Sequence, residues 1–147
     1  MAHHPFLSTI AKRKAIAAAI SAELSESFGA PVALAPCTLH PGDFSLCLED
    51  YETERGPVRR VSIDVSALCV SVHSKFGFPA HAPSGANRYS GKWNHYFWPR
   101  EGDTVESWRA DMLFQLGHVA YELRPTGRVR ADRPSPWETW RSDVLAL

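Results

Sequence analysis

Phe44-Ser45-Leu46-Cys47-Leu48-Glu49-Asp50-Tyr51-Glu52-Thr53-Glu54-Arg55-Gly56-Pro57-Val58-Arg59-Arg60-Val61 is the stretch that decides the fold. Phe44, Leu46 and Leu48 alternate with Ser45, Cys47, Glu49 and Tyr51, the period of a strand with one buried face. Arg55-Gly56-Pro57 reads as a turn. Beyond it the chain returns through Val58, Arg59, Arg60 and Val61. The acidic run 49–54 then faces Arg59 and Arg60, the opposite-charge pairing expected across an antiparallel hairpin.

Working outward, residues 58–73 continue as strand, with a break of phase. Val61, Ile63 and Val65 are odd positions, whereas Leu68, Val70 and Val72 are even. A change of parity requires a bulge or a turn near Ser66-Ala67, because one extra residue exchanges the two faces. Two strands and one bulged strand both satisfy it. Residues 74–91 hold Gly77, Pro79, Pro83, Gly85 and Gly91 among Ser and Asn, the composition of a long connection. Connections of that length without secondary structure of their own are usually functional or disordered. Residues 92–98 follow as an aromatic strand stopped by Pro99.

Helices bracket this sheet. Ser8 or Thr9 can cap a helix over 8–28, in which Ile16, Ile20, Leu24 and Phe28 recur at i+4. Gly29 and Pro31 end it. Asp103-Thr104-Val105-Glu106 predicts a second start, with Asp103 as cap and Glu106 closing a capping box. From there Val105, Trp108, Met112, Leu116, Val119 and Leu123 step by three and four to Pro125. Residues 124–136 read as a basic connector, and Ser135-Pro136-Trp137-Glu138 restarts a short helix that docks through Trp137, Trp140 and Val144. The prediction is one α+β domain over 1–147. An antiparallel meander sheet of about four strands packs against an N-terminal and a C-terminal helix.

Composition bounds the function. The chain has 147 residues, with 16 Lys+Arg against 16 Asp+Glu, so a polycation that coats nucleic acid is excluded. A domain of this size buries enough surface to fold without disulfides or a metal staple. Cys37, Cys47 and Cys69 form no Cys-x-x-Cys pair and read as small apolar residues in a reducing compartment. No run approaches the length of a membrane span, and the N-terminus lacks the charged region and long apolar core of a signal peptide. No cofactor, metal or membrane partner is expected, and a cytoplasmic setting is.

Charge is balanced overall but not locally. Residues 74–100 contain no acid. They contain Lys75, Arg88, Lys92 and Arg100, with His81 and His95, and aromatic side chains that include Tyr89, Trp93, Tyr96 and Trp98. On a pleated strand Trp93, His95 and Phe97 face one side, and Asn94, Tyr96 and Trp98 the other. Exposed aromatic rings beside Arg and Lys suit a protein-binding hot spot. They also suit base stacking with phosphate pairing. Arg128 and Arg130 in the connector add grip for an acidic partner or for phosphates. The expected contact residues are therefore Lys75, His81, Arg88, Tyr89, Lys92, Trp93, His95, Tyr96, Trp98, Arg128 and Arg130. A third reading is a small enzyme or ligand-binding fold using His73, His81 or His95, with Cys69 or Ser71 as nucleophile. No oxyanion hole or orienting carboxylate is marked, so no catalytic residue is assigned. His118 reads as a partly buried core histidine. The edge strand 92–98 can pair with its copy in a homodimer.

At Asn87-Arg88-Tyr89-Ser90-Gly91-Lys92-Trp93-Asn94-His95 the sequence resembles small proteins carried by bacteriophages and prophages, which show an Asn-Pro-x-Ser-Gly-Lys-Trp-Asn-like stretch. Arg88 stands where those proteins have proline. The resemblance covers about nine of the 147 residues. It implies a mobile-element origin and a setting inside a bacterial host. It brings no activity and no catalytic residue. By analogy with such accessory proteins, the expected function is non-catalytic binding of a host or phage protein, or inhibition of a host protein, defence proteins included, through residues 74–100. Single-stranded nucleic-acid binding through the same segment is the alternative.

Overall fold

The alternation at Phe44, Leu46 and Leu48 does place those side chains in the core, and the strands around it zip up in chain order. The computed structural model describes residues 4–76 and 92–126. Its elements are α1 (Ile10–Phe28), β1 (Ala35–Pro36), β2 (Phe44–Thr53), β3 (Gly56–Val65), β4 (Val70–Phe76), β5 (Lys92–Phe97) and α2 (Val105–Glu122). The sheet order is β1-β2-β3-β4-β5, each pair antiparallel. This is the expected α+β meander with one more strand. The extra strand, β1, has two residues and ends in a proline, so no alternation announced it.

The phase break resolves as two strands. Ser66 N–H donates to the Cys69 carbonyl at 3.1 Å, closing a turn between β3 and β4. A second change of phase lies inside the first hairpin. Tyr51 and Thr53 point inward beside Leu48, not outward with Cys47 and Glu49. Asp50 causes this, at φ +50°, the left-handed region that an aspartate tolerates better than most residues. Glu49 and Asp50 are therefore both exposed. On β3, Arg59 and Arg60 are both exposed between buried Val58 and Val61. The register of β3 against β4 slips between Val58 and Arg60, as a bulge requires.

Both helices cover the same face of the sheet. Leu24 of α1, Leu116, Val119 and Ala120 of α2, and Leu46, Val61, Val72 and Trp93 of the strands line one apolar cavity of about 20 Å³. In α1, Ile16, Ile20 and Leu24 are buried, and Phe28 is half-buried at the end. Gly29, at φ +69°, stops that helix in the left-handed conformation glycine adopts without strain. In α2, Trp108, Met112, Leu116 and Val119 are buried as the spacing predicts, while Val105 is exposed. The cap is Thr104 rather than Asp103: its side chain accepts from Ser107 N–H, and the Ser107 hydroxyl completes the box. Asp103 instead accepts from Arg100 N–H and the Ser107 hydroxyl. Those bonds, the Arg100 backbone bond foremost, hold its carboxyl below the usual carboxylate range.

Three polar groups tie the chain ends to this core. The Tyr51 hydroxyl donates to the Leu123 carbonyl at 2.8 Å, satisfying one of the free acceptors at the end of α2. Burial raises that phenol's pKa. Arg13 is buried and donates to the Gly42 carbonyl at 2.7 Å and the Leu7 carbonyl at 2.8 Å. His4, wholly buried, donates from Nε2 to the Phe97 carbonyl at 3.1 Å and accepts from Phe6 N–H at Nδ1. Trp108 Nε1 donates to the same carbonyl at 3.2 Å. Burial lowers the His4 pKa and keeps the ring neutral. Among the described residues no helix is long and apolar enough to cross a membrane.

Candidate functional site: the outer face of the sheet

Every second residue of β3, β4 and β5 points away from the helices, and register sets these side chains into rows. Arg60 is opposite Lys75, and Lys75 is opposite Lys92. The next row is Ser62, His73 and Asn94, and the next is Asp64, Ser71 and Tyr96. Arg60, Ser62, His73, Lys75, Lys92 and Asn94 line an open depression of about 390 Å³.

The first row is electrostatically unusual. Like charges directly opposite one another on a sheet are destabilising. Three cations stand side by side here, and Glu49 meets only the first, 3.9 Å from Arg60. Both members of that pair are well exposed, so it contributes little. Among the described residues Lys75 and Lys92 have no carboxylate partner. The connection 77–91 contains no Asp or Glu and brings no countercharge to the row. Asp64 sits two rows away, its pKa raised by burial and pulled back by His73 and Arg60.

A second concavity, of about 380 Å³, makes the contrast plain. It is lined by Glu54, Arg55, His118, Tyr121, Glu122 and Arg124. Its charges answer one another: Arg55 lies 3.1 Å from Glu122, and Arg124 3.3 Å from Glu54. The Arg124 guanidinium also covers the Tyr121 ring at 3.8 Å. Four charges that cancel leave nothing to attract a charged ligand.

The expected contact residues separate. Lys75, Lys92 and Tyr96 lie on the outer face, and Tyr96 is 51 % exposed. The Tyr96 hydroxyl and His73 Nε2 are hydrogen-bonded at 3.3 Å. Trp98 is exposed at the end of β5 and stacks on His4 at 5.8 Å between centroids. Trp93 is a correction: it is 1 % exposed and belongs to the core, because the alternation of β5 turns it toward the helices. His95 is corrected with it, half-buried on the same inner face, its ring 4.4 Å from that of Phe97. His81, Arg88, Tyr89, Arg128 and Arg130 lie outside the described residues, as do the connector beyond residue 126 and the short C-terminal helix.

The histidine reading changes as well. His73 is on the outer face and His95 on the inner, so the sheet itself separates them. They cannot act on one ligand. Burial lowers the His95 pKa. Cys69 is buried, which raises its thiol pKa and keeps it protonated, the opposite of an activated nucleophile. His118 is exposed, not core, because it follows exposed Phe114 by four residues on the outer stripe of α2. Among the described residues no three His, Cys, Asp or Glu side chains gather as a metal site would require.

Sequence reasoning missed Arg60, Ser62 and Asn94 as members of a site. Arg60 was legible as the partner of the acidic run, and that pairing holds at Glu49. Its second neighbour, Lys75, depends on the bulge in β3, which no local pattern reveals.

No protein-family model matches the chain, and no curated protein and no solved structure is significantly similar to it.

Proposed function

We propose that this protein is a non-catalytic binding protein that takes an acidic segment of a partner protein on the outer face of its sheet. The observation that carries this reading is the in-register row Arg60–Lys75–Lys92, which among the described residues meets no carboxylate except Glu49 at its Arg60 end. Opposed like charges cost stability in the free protein, and an anionic partner relieves that cost when it binds. Exposed Tyr96, two rows along the same face, and exposed Trp98, just past the end of β5, offer the aromatic contact area on which interfaces rely. Separation of His73 from His95 and the protonated state of Cys69 support binding over catalysis. The resemblance of residues 87–95 to phage-carried proteins implies a bacterial-host setting, and inhibition of a host protein, defence proteins included, is proposed by analogy with such accessory proteins.

The test is capture from nuclease-treated bacterial lysate, comparing the wild-type chain with an Arg60→Ala, Lys75→Ala, Lys92→Ala variant. Trp93 stays intact because it is core. A protein retained by the wild type and released by the variant is the expected outcome. Equal capture by the two would overturn the reading.

A second reading, single-stranded nucleic acid on the same face, is favoured by one observation: Tyr96 stands exposed on the cationic face as a stacking platform. It predicts affinity for an unstructured oligonucleotide that falls steeply with salt. The balanced net charge of the chain counts against it.

A further inference from the structure

A carboxylate carries one charge and uses one cation well, whereas this face offers three together. Neighbouring strands are about 4.8 Å apart, so the row Arg60–Lys75–Lys92 spans only about 10 Å at the backbone. Same-face side chains of an extended peptide recur every 6.6–6.8 Å or so, a poorer match to that spacing. Arg60, Lys75 and Lys92 instead line one open depression across β3–β5. Directly behind them along the strands stand Ser62, His73 and Asn94, of which His73 is held by the Tyr96 hydroxyl at 3.3 Å, and Ser62 and Asn94 are polar groups that can hydrogen-bond a ligand. Among the described residues the grid therefore has the three cations Arg60, Lys75 and Lys92, the polar side chains of Ser62, His73 and Asn94, and no acid within it. The group whose chemistry meets this is compact, tetrahedral and doubly charged.

We infer that the grid is a site for a phosphate monoester dianion, carried on a phosphorylated side chain of the partner protein. This rests on the outer face being the docking surface and adds what that surface selects. A phosphate monoester carries about −1.5 to −2 charge at neutral pH and three strong acceptor oxygens. The Arg60 fork takes two oxygens side by side, and Lys75 and Lys92 act as point charges on the third and on the net charge. Ser62 and Asn94 complete the shell at its edges. Glu49 sits beside Arg60 on the side away from Lys75 and marks the border of the site.

The experiment titrates the full chain with three matched degenerate peptide libraries that carry one fixed phosphoserine, glutamate or serine. Inorganic phosphate and a single-stranded oligonucleotide with a terminal phosphate are run beside them. Amide resonances of β3–β5 locate the binding, and far-UV circular dichroism confirms that each variant is folded. The phosphoserine library is expected to bind at least about tenfold more tightly than the glutamate library. Lys75→Ala with Lys92→Ala should remove that preference, and Lys75→Arg with Lys92→Arg should keep it. Inorganic phosphate should compete and shift the same resonances. Equal binding of phosphoserine and glutamate, both lost in the alanine variant, overturns the phosphate site and leaves the docking surface standing. Phosphoserine binding that survives the alanine variant overturns the location. An oligonucleotide that outcompetes the peptide overturns the protein source of the phosphate. No peptide binding, with lysate capture still lost in the triple variant, overturns selection for phosphate alone.

Discussion

The inner and outer faces of β3–β5 are made by the same strands, residue by residue, yet they follow opposite rules. On the inner face Ile63, Val72, Trp93 and Phe97 are buried against two helices. On the outer face Arg60, Lys75 and Lys92 are set in register, and among the described residues only Glu49 offsets them. One face lowers the free energy of the fold by removing apolar surface from water. The other spends a little of that gain on charge repulsion. A surface that opposes stability without a folding purpose points toward binding, and that difference is what separates architecture from function here.

The most severe way to test the division is Trp93→Ala. Removing a fully buried indole should cost about 3–5 kcal/mol in chemical denaturation. The adjacent Asn94→Ala should change stability by less than about 0.5 kcal/mol. Similar losses at the two positions would mean that the faces have been assigned wrongly. Arg13→Ala comes next. It breaks charge-assisted bonds to the Gly42 and Leu7 carbonyls and should cost about 1.5–3 kcal/mol, read from the shift in denaturation midpoint. Thr104→Ala removes the α2 cap and should cost about 1 kcal/mol. A loss below a few tenths would show that the cap is dispensable.

The pH dependence sharpens the same contrast. Burial lowers the pKa of both His4 and His95 below the ordinary value of 6.5. The unfolded chain therefore binds more protons than the folded one just below that value. Stability should be fully present above about pH 6.5 and decline as pH falls toward the lowered folded pKa values. His4→Gln should reduce that decline, since one of the two groups is gone. An unchanged slope would remove His4 as a contributor. The smallest expected effect belongs to the outer row. Arg60→Ala, Lys75→Ala and Lys92→Ala together should alter stability by no more than about 0.5 kcal/mol, in the stabilising direction. A clear loss of stability would make the row structural and weaken its reading as a binding surface.

Local chemistry made much of the fold legible. The helix over 8–28 was readable from Ile16, Ile20, Leu24 and the Gly29 stop, and α2 from the spacing of Trp108, Met112 and Leu116. The first hairpin was readable because its acid and base sides answer one another. Less legible were features set by contacts distant in sequence. Tyr51 changes face because Asp50 adopts a left-handed conformation, and an aspartate in a strand-like run does not announce that. Arg13 stands in Lys12-Arg13-Lys14 and reads as a solvated cation, yet it is buried because the loop at Gly42 and the turn at Leu7 converge on it. His4, which no local pattern marks, is wholly buried because it meets the Phe97 carbonyl 93 positions away. The candidate site was half legible: Lys75, Lys92 and Tyr96 came from the acid-free stretch, Asn94 lies in that stretch but was not singled out, and Arg60 and Ser62 lie outside it.

The sequence by itself determined which long segments become strand and which become helix, the two-residue β1 apart, and that neighbouring strands would pair as a meander. Those outcomes depend on periods of two and 3.6 residues and on turn and cap residues, all written within a few positions of one another. Only the tertiary structure decided which face of β5 is buried and that Arg60, Lys75 and Lys92 share one row. Register couples residues 15 to 32 positions apart, and a single bulged residue in β3 moves the partner of Arg60. The charges that define the surface are thus ordinary in the sequence and become a site only through pairing across strands.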